Sequence, residues 1–314
     1  MLTIRAFRKG LDEEAYVRIY NAAFSDYDDI RTITIEEMKE NEESPSFSAD
    51  GILFAEWNGE TAGMIDAYVD RFREEEKGFI QSCAVLPQFR GRGVAKALVK
   101  KALEIHRQRG MKCAETWAQK GRQTCIHIFE SFGFQKVRCT SMMTMTLGDV
   151  PSDMGENTKA NLREMRLKND DDIALLNRLD NESFKEHFNY RPRSVEETRY
   201  NLLESPWCQN PKVHFAAIDN QPVGYVITAI DFRLVKEKGS KYGWIWDIGV
   251  LKPFRRRGIG TRLMIQGLHV LKEQGMEKAL LYVDDQNPTK AIKLYEKVGF
   301  KVMRENLIYQ LLLA

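Results

Sequence analysis

The sequence has few of the features that mark disulfide, metal, membrane or nucleic-acid-binding proteins. Its five cysteines are an odd number without C-x-x-C spacing, which argues against a disulfide framework or a zinc site. No run approaches the roughly 18 apolar residues of a membrane span, and the N-terminus has no signal-peptide apolar region. The net charge of +2 is too near neutral to suggest a nucleic-acid or membrane partner. We therefore expect a protein of the cytoplasm, without metal, nucleic-acid partner or membrane contact.

A short basic segment containing glycine is present twice. Residues 85–95 read VLPQFRGRGVA, and residues 250–260 read VLKPFRRRGIG. Each copy stands between an apolar, strand-like run and a long amphipathic, helix-like stretch. A strand, such a turn and a helix N-terminus bind anions, because the turn amides converge and the helix dipole adds positive potential. Two copies predict two related domains, each built around a ligand that carries phosphate.

The internal repeat extends beyond this turn to most of each half. Both halves have a first strand, a first helix and then a second helix that opens with a capping box, at Thr34 to Glu37 and at Ser194 to Glu197. A hairpin follows, with its turn at Asn58-Gly59 in the first half and at Asn220-Gln221 in the second. We place the two domains at 1–147 and 161–314, with a linker of turn composition at 148–160.

Neither copy of the basic turn is a common nucleotide-binding motif. Both lack the P-loop pattern G-x-x-x-x-G-K-[ST], and Lys96 and Leu263 take the place of the third glycine of a dinucleotide fingerprint. Both copies do satisfy [QR]-x-x-G-x-[GA], as Arg90, Gly93 and Ala95 and as Arg255, Gly258 and Gly260. With a strand before this pattern and a helix after it, the chain resembles the GNAT (Gcn5-related N-acetyltransferase) superfamily.

The resemblance covers both halves and is fuller in the second. Residues 287–300, NPTKAIKLYEKVGF, look like the family's closing N-x-x-A-x-x-x-Y-x-x-x-G-F signature. The tandem arrangement is similar to that of the mycothiol synthases, a two-domain branch of the family. The resemblance implies an α/β (α+β) fold of two tandem GNAT domains, each a mixed, mostly antiparallel central sheet flanked by helices. It also implies acetyl-CoA as co-substrate, no metal, and direct acetyl transfer to a small-molecule or peptide amine.

Acetyl-CoA is expected to bind along the repeated motif. Its pyrophosphate would rest on the turn amides, its pantetheine would pair with the backbone of the preceding strand, and arginines would add charge-assisted bonds. In the second domain the expected contacts are Ile248, Gly249, Val250, Arg255, Arg256, Arg257, Gly258, Ile259, Gly260 and Asn287. In the first domain they are Cys83, Ala84, Val85, Arg90, Gly91, Arg92, Gly93, Val94 and Ala95.

The groups that handle protons are expected in the second domain alone. The resemblance implies that Tyr295 gives a proton to the departing CoA thiolate, although a core aromatic residue would give the same pattern. Asp247 is the carboxylate on the strand before the turn, either the base or a structural hydrogen-bond acceptor. The first half has Phe129 and Ser82 at the matching places, so we expect it to be catalytically degenerate.

Some features of the function stay open at this stage. Weaker candidates for contact with the acceptor are His187, Glu186 and Tyr242. Two other functions compete with acetyl transfer: a non-catalytic acyl-CoA-binding sensor or scaffold, and a tandem-GNAT aminoacyltransferase that uses charged tRNA. The near-neutral charge and the two intact turns favour the acetyltransferase over the tRNA-dependent enzyme. The sequence leaves open the acceptor, CoA binding by the first domain and the oligomeric state.

Overall fold

The computed structural model describes residues 1–151 and 158–313, so residues 152–157 of the expected linker lie outside the described part. The chain divides into two compact units. The first unit comprises Met1–Cys139 together with Asn306–Ala314, and the second comprises Thr140–Glu305. Among the described residues, none of the helices is both long enough and apolar enough to span a bilayer.

The first unit is a mostly antiparallel sheet with helices on its faces. In chain order it contains β1 (Leu2–Ala6), α1 (Glu13–Phe24), α2 (Ile35–Glu42), β2 (Ile52–Trp57), β3 (Glu60–Val69), β4 (Lys77–Val85), α3 (Val94–Gln108), β5 (Cys113–Gln119), α4 (Gln123–Ser131) and the start of β6 (Gln135–Thr146). The strands lie in the order β1-β2-β3-β4-β5, and only the β4–β5 pair is parallel.

The second unit repeats this arrangement. It contains β7 (Asn161–Glu164), α5 (Asp170–Phe184), α6 (Val195–Leu203), β8 (Lys212–Ile218), β9 (Gln221–Ala229), α7 (Phe232–Lys238), β10 (Tyr242–Val250), α8 (Ile259–Glu273), β11 (Lys278–Asp284), α9 (Ala291–Val298) and the start of β12 (Lys301–Leu312). Its strand order is β7-β8-β9-β10-β11, and only β10–β11 is parallel. The expected fold class, a mixed and mostly antiparallel sheet in each half, is confirmed.

The last strand of each sheet comes from a part of the chain that the sequence assigned to the other half. Residues 140–146 of β6 pair antiparallel with β11 and complete the second sheet. Residues 306–312 of β12 pair with β5 and complete the first. The simple division at 148–160 is therefore corrected. The alternating pattern of a terminal strand predicts a strand, but it does not say which of two similar sheet edges will accept it.

Local sequence signals account for most of the other elements. Both capping boxes form: the Glu37 amide donates to Thr34 Oγ1, and the Glu197 amide donates to Ser194 Oγ. The first hairpin turns at Asn58-Gly59 as predicted. In the second hairpin the turn is one residue earlier than predicted, at 219–220, because both of these residues have the positive φ that a two-residue hairpin turn requires.

One helix was not expected from the sequence. Helix α7 follows β9 where the first half has only a short connection, and the Asp231 side chain caps it by accepting from two amides of its first turn. An aspartate before an apolar-polar run is a helix-start signal that could have identified it. The α7 segment leads directly into β10, the strand that carries the candidate site.

Candidate active site

A cleft opens where two neighbouring strands of the second unit separate. Strands β10 and β11 pair over only three residues, ending at Trp244 and Leu280. Beyond that point no described strand pairs with this edge of β10. The space between the separated strands is a cavity of about 320 Å³, lined on one side by residues 245–250 and on the other by residues 281–284. The strand separation therefore leaves backbone groups of β10 available to a ligand.

The repeated basic turn lies at one end of this cavity. Gly258 caps α8 with φ +79°, a left-handed conformation that glycine adopts without strain. The first intrahelical bond runs from the Arg262 amide to the Gly258 carbonyl (3.0 Å), so the amides of Ile259, Gly260 and Thr261 have no intrahelical acceptor. Gly258, Gly260 and Thr261 all line the cavity. This end of the cavity therefore suits an anionic group.

The guanidinium of Arg255 is committed to the protein itself. Its Nε donates to the Val250 carbonyl (2.9 Å), its Nη2 donates to the Ser183 carbonyl (2.8 Å), and its Nη1 lies 3.5 Å from a carboxylate oxygen of Glu186. The side chain thus ties the turn to the end of β10 and to helix α5. It holds the turn in place and also lines the cavity, with one contact from each of its three nitrogens made to the protein itself.

The other residues expected to contact acetyl-CoA differ in whether they line the cavity. Arg256 lines the cavity and donates from Nη2 to the Thr289 carbonyl (3.1 Å). Arg257 stacks over Phe254 at 5.3 Å and is not among the lining residues, nor is Ile259. Asn287 lines the cavity, and its side-chain oxygen accepts from the Thr289 amide (2.8 Å) and hydroxyl (2.6 Å). Asn287 therefore organises the loop that leads into α9.

Of the three weak acceptor candidates, only His187 lines the cavity. Its imidazole packs edge-on against Phe184 at 4.5 Å, and burial lowers its pKa. Glu186 is instead bound to Lys252 (2.5 Å) and Arg255. Tyr242 lies about 16 Å along the strand from Asp247, at roughly 3.3 Å per residue. The expectations for Glu186 and Tyr242 are corrected: Glu186 is held by its cations, and Tyr242 precedes the point where the strands separate.

Asp247 and Tyr295 both line the cavity. The pairing of β9 with β10 shifts register between Ile245 and Asp247, so Trp246 is a bulged residue and its side chain is 44% exposed. Burial, followed by the charge of Asp180, raises the pKa of Asp247 to about 7. Burial, followed by the charge of Asp247, raises the pKa of Tyr295 above its usual value of 10. The two proton-handling candidates thus share one cavity, and the charge of Asp247 acts on the ionisation of Tyr295.

A second, smaller cavity of about 50 Å³ adjoins the first, and Trp246 and Asp247 line both. Asp180, Arg193 and Tyr225 are among the further polar residues that line the smaller one. The Tyr225 hydroxyl donates to Asp180 Oδ1 (2.7 Å), and Arg193 Nη1 lies 3.3 Å from Asp180 Oδ2. These three residues are far apart in sequence and belong to no motif.

One sequence signal could have identified Asp180. On α5 it falls four residues after Leu176 and seven after Ile173, on the apolar face of the helix, and it is 9% exposed. A carboxylate on a buried helix face is unfavourable unless it has partners, so its position alone indicates a specific environment.

The first unit keeps the cleft and the turn. Strands β4 and β5 pair only as far as Phe79 and Glu115 before they separate. Gly93 caps α3 with φ +80°, and Arg90 donates from Nε to the Val85 carbonyl (3.2 Å). The other expected contacts of this half lie on the same strand end and turn: Cys83, Ala84, Gly91, Arg92, Val94 and Ala95.

The same unit differs where the second unit has its cavities. Tyr16 and Tyr20 stand at the places of Leu176 and Asp180, with stacked rings 6.2 Å apart. Burial raises the pKa of Tyr20 to about 12. Phe129 is buried at the place of Tyr295. In the first unit, aromatic rings therefore stand where the second unit has Leu176, Asp180 and Tyr295.

A salt bridge joins the two sides of the cleft in the first unit. Arg122 Nη1 lies 2.6 Å from Asp26 Oδ2, and its guanidinium stacks over Tyr27 at 4.3 Å. The contact connects the segment after α1 to the start of α4. In the second unit the matching segments carry His187 and Asn287, which both line the open cavity.

Comparison with known proteins agrees with this geometry. The sequence model of the acetyltransferase (GNAT) family matches residues 14–134 and again residues 176–300. A mycothiol acetyltransferase from Mycobacteroides abscessus is 28% identical over 263 residues, which cover 82% of this chain and 83% of that protein. One from Nocardia farcinica is also 28% identical, with coverage of 82% and 81%.

Solved structures show the same fold over the whole chain. A tandem GNAT protein from the clavulanic acid biosynthesis pathway has a TM-score of 0.73 at 13% identity, covering 100% of this chain and 99% of that one. A GCN5-related N-acetyltransferase from Sphaerobacter thermophilus has a TM-score of 0.69 at 20% identity, covering 99% and 96%. With the family matched in both halves, the chain belongs to the GNAT acetyltransferases and is a tandem N-acetyltransferase of that family.

Proposed function

We propose that the second unit transfers an acetyl group directly from acetyl-CoA to the amine of a small molecule. One observation carries this proposal: a single cavity is lined by the anion-binding turn, the unpaired edge of β10, Asp247 and Tyr295. These are the parts that acetyl transfer to an amine needs, namely a site for the pyrophosphate, one for the pantetheine, a base and an acid.

The residues present suit acetyl-CoA. Gly258 and Gly260 carry no Cβ and line the cavity, so a phosphate has room to reach the free amides of the first turn of α8. Arg256 lies beside them and adds charge. The edge of β10 from Ile248 to Val250 offers backbone groups to the amides of pantetheine, in the manner of an added strand.

The chemistry then follows from the two proton-handling groups. Asp247 accepts a proton from the acceptor's ammonium group, and the freed amine attacks the thioester that acetyl-CoA supplies. The new C–N bond forms as the C–S bond breaks, and Tyr295 donates its phenolic proton to the departing sulfur. A raised pKa keeps Tyr295 protonated at neutral pH. The second nitrogen proton restores the phenol of Tyr295, and Asp247 releases its proton to solvent.

We propose that the first unit does not catalyse. Ser82 and Phe129 replace Asp247 and Tyr295, so this unit lacks both proton-handling groups of the second. Arg122 and Asp26 join the two sides of the cleft, and a bound pantetheine would have to separate them. The unit keeps its turn and sheet, which supports a structural role.

The relatives' printed name, mycothiol acetyltransferase, suggests an acceptor class, but their identity of 28% supports only a small-molecule amine for this chain. The five cysteines are an odd number without C-x-x-C spacing, which fits a reducing compartment, so we place the reaction in the cytoplasm.

The test is CoA release from acetyl-CoA with a panel of amines, measured for the wild type and for Tyr295→Phe. We expect Tyr295→Phe to lower kcat by about 10²-fold or more and to change the acetyl-CoA KM little. The matched control is Tyr309→Phe, which removes a buried hydroxyl bonded to Glu130 in the first unit and should keep wild-type kcat. An unchanged kcat in Tyr295→Phe would refute the acid role.

Two other outcomes distinguish the competing functions. Acetyl-CoA binding without release of CoA to any amine would favour a sensor. Absence of acetyl-CoA binding would favour the tRNA-dependent transferase. Titration calorimetry with acetyl-CoA separates these two results.

A further inference from the structure

We propose that Asp180 and Tyr225 are positioning residues that form, with Asp247, an acidic site that receives the acceptor as an ammonium cation. This inference rests on the proposed acetyl transfer and adds the class of acceptor and two residues that act through Asp247. It starts from the small cavity, which shares Trp246 and Asp247 with the large one and is also lined by Asp180.

One buried hydroxyl interacts with both carboxylates. The Tyr225 hydroxyl donates to Asp180 at 2.7 Å, and it also stabilises the charge of Asp247. Tyr225 is fully buried, and its ring packs beneath Gly249, where an added Cβ would stand 2.7 Å from ring atom Cε1. The network is therefore packed directly against the strand that lines the acetyl-CoA cavity.

The charges that face Asp247 leave a place for a cation. Asp180 faces it from α5, Arg193 from the segment before α6, Tyr225 from β9, Tyr295 from α9 and Cys208 from the loop before β8. With both carboxylates ionised, the single guanidinium leaves one negative charge in excess. An ammonium group entering the small cavity would balance it and would bring its proton to Asp247.

The small volume restricts what can enter. A cavity of about 50 Å³ holds only a few water-sized groups, since one water needs roughly 10–15 Å³ on this measure. Its lining also includes the apolar side chains of Leu176, Leu202 and Ile227, together with Thr198, Asn201 and Cys208. We therefore expect a primary ammonium group on a slender carbon stem.

The internal duplication gives an independent observation. The first unit keeps none of the four residues of this network. The places of Asp180, Arg193, Tyr225 and Asp247 are taken by Tyr20, Ile33, Met64 and Ser82. Two features define this correspondence. Asn21 accepts from the Ile33 amide as Asn181 accepts from the Arg193 amide, and β3 pairs with β4 in the same register as β9 with β10. These four residues come from separate segments, and all four are replaced in the unit that also lacks Tyr295. We therefore infer that they serve one function together.

The test is the pH profile of kcat/KM for an amine acceptor. Asp180→Asn removes a like charge beside Asp247, so the midpoint of the acidic limb should move down by roughly one pH unit or more. Tyr225→Phe removes a bond that favours the ionised carboxylate, so the midpoint should move up. Asp180→Asn should also raise KM for the amine about tenfold and leave the acetyl-CoA KM unchanged.

Matched controls separate this role from a structural one. Asp170→Asn, on the exposed start of the same helix, and Tyr309→Phe should leave the profile unchanged. If both variants lose activity but the acidic limb of their pH profiles does not move in opposite directions, the inference is refuted. The proposal that the protein transfers acetyl groups would still stand. If the wild type acetylates no amine, the same prediction can be tested without turnover. Carbon-13 NMR follows the titration of the Asp247 carboxyl, whose signal is assigned with Asp247→Asn. The titration midpoint should move down in Asp180→Asn and up in Tyr225→Phe. Equal titration midpoints in all variants would refute the inference.

Discussion

Replacing a buried histidine of the first unit should change how its stability depends on pH. His106 lies on α3 with 0% exposure, and its ring nitrogens make no hydrogen bond of good geometry among the described residues, although the Phe79 backbone acts on the ring. Its imidazole fits against Gly78, where an added Cβ would stand 2.3 Å from Nδ1. The second unit has the same arrangement with Leu271 packed against Gly243. The duplication therefore identifies His106→Leu as a substitution that this fold already accommodates.

The size and sign of the effect follow from the ionisation of the ring. Burial lowers the pKa of His106 from 6.5 to about 4. Protonation thus favours the unfolded chain, which binds the proton near pH 6.5. The penalty is absent above that pH and grows as the pH falls to about 4. At about 1.36 kcal/mol for each unit of pKa difference, it reaches about 3 kcal/mol.

The expected result is a stability difference that widens in acid. At pH 7.5 we expect His106→Leu to be more stable than the wild type by about 1–2 kcal/mol, because two poorly bonded polar atoms leave the core. At pH 4.5 the difference should be about 2–3 kcal/mol larger. Hydrogen exchange of peptides from β4 and β5 measures the opening free energy of this unit.

The control is His269→Gln, a change at an exposed histidine of α8 that should leave the pH dependence unaltered. The reasoning is refuted if His106→Leu loses stability between pH 6.5 and 4.5 as steeply as the wild type.

Two further predictions concern the glycines of the motif. Gly258→Ala and Gly93→Ala place alanine at the same positive φ and should lower stability similarly, by about 1–2 kcal/mol. Only Gly258→Ala should raise the KM for acetyl-CoA, by about tenfold, and an equal rise in Gly93→Ala would contradict an inactive first unit. Gly249→Ala brings a Cβ within 2.7 Å of Tyr225 and 3.0 Å of Ser183, so thermal unfolding should show a loss of about 1–3 kcal/mol. Its kcat should fall more than its affinity for acetyl-CoA, and a wild-type kcat would argue against the tight packing.

Much of the fold is local and could be predicted from the sequence. The duplicated turn, the capping boxes and the first hairpin depend on residues close together in the chain. The motif also led to Asp247 and Tyr295, which line the same cavity. Their catalytic roles stay a prediction, because lining a cavity is a matter of position and catalysis is a matter of rate.

The features that could not be predicted depend on distant parts of the chain. Asp180, Arg193 and Tyr225 meet only after α5, the following segment and β9 have packed together. The engagement of Glu186 with Lys252 likewise depends on folding. The partners of the terminal strands depend on a choice between two similar sheet edges, which no local pattern encodes.

The placement of β12 affects the order in which the protein can be completed during synthesis. Residues 306–312 finish the first sheet, yet the ribosome makes them after all of the second unit, Thr140–Glu305. The first unit, although it is synthesised first, must therefore wait with an open edge at β5 until the second is available. Domains usually fold in the order of their synthesis. Here the second unit is the first that can be finished, because it contains no residue beyond Glu305.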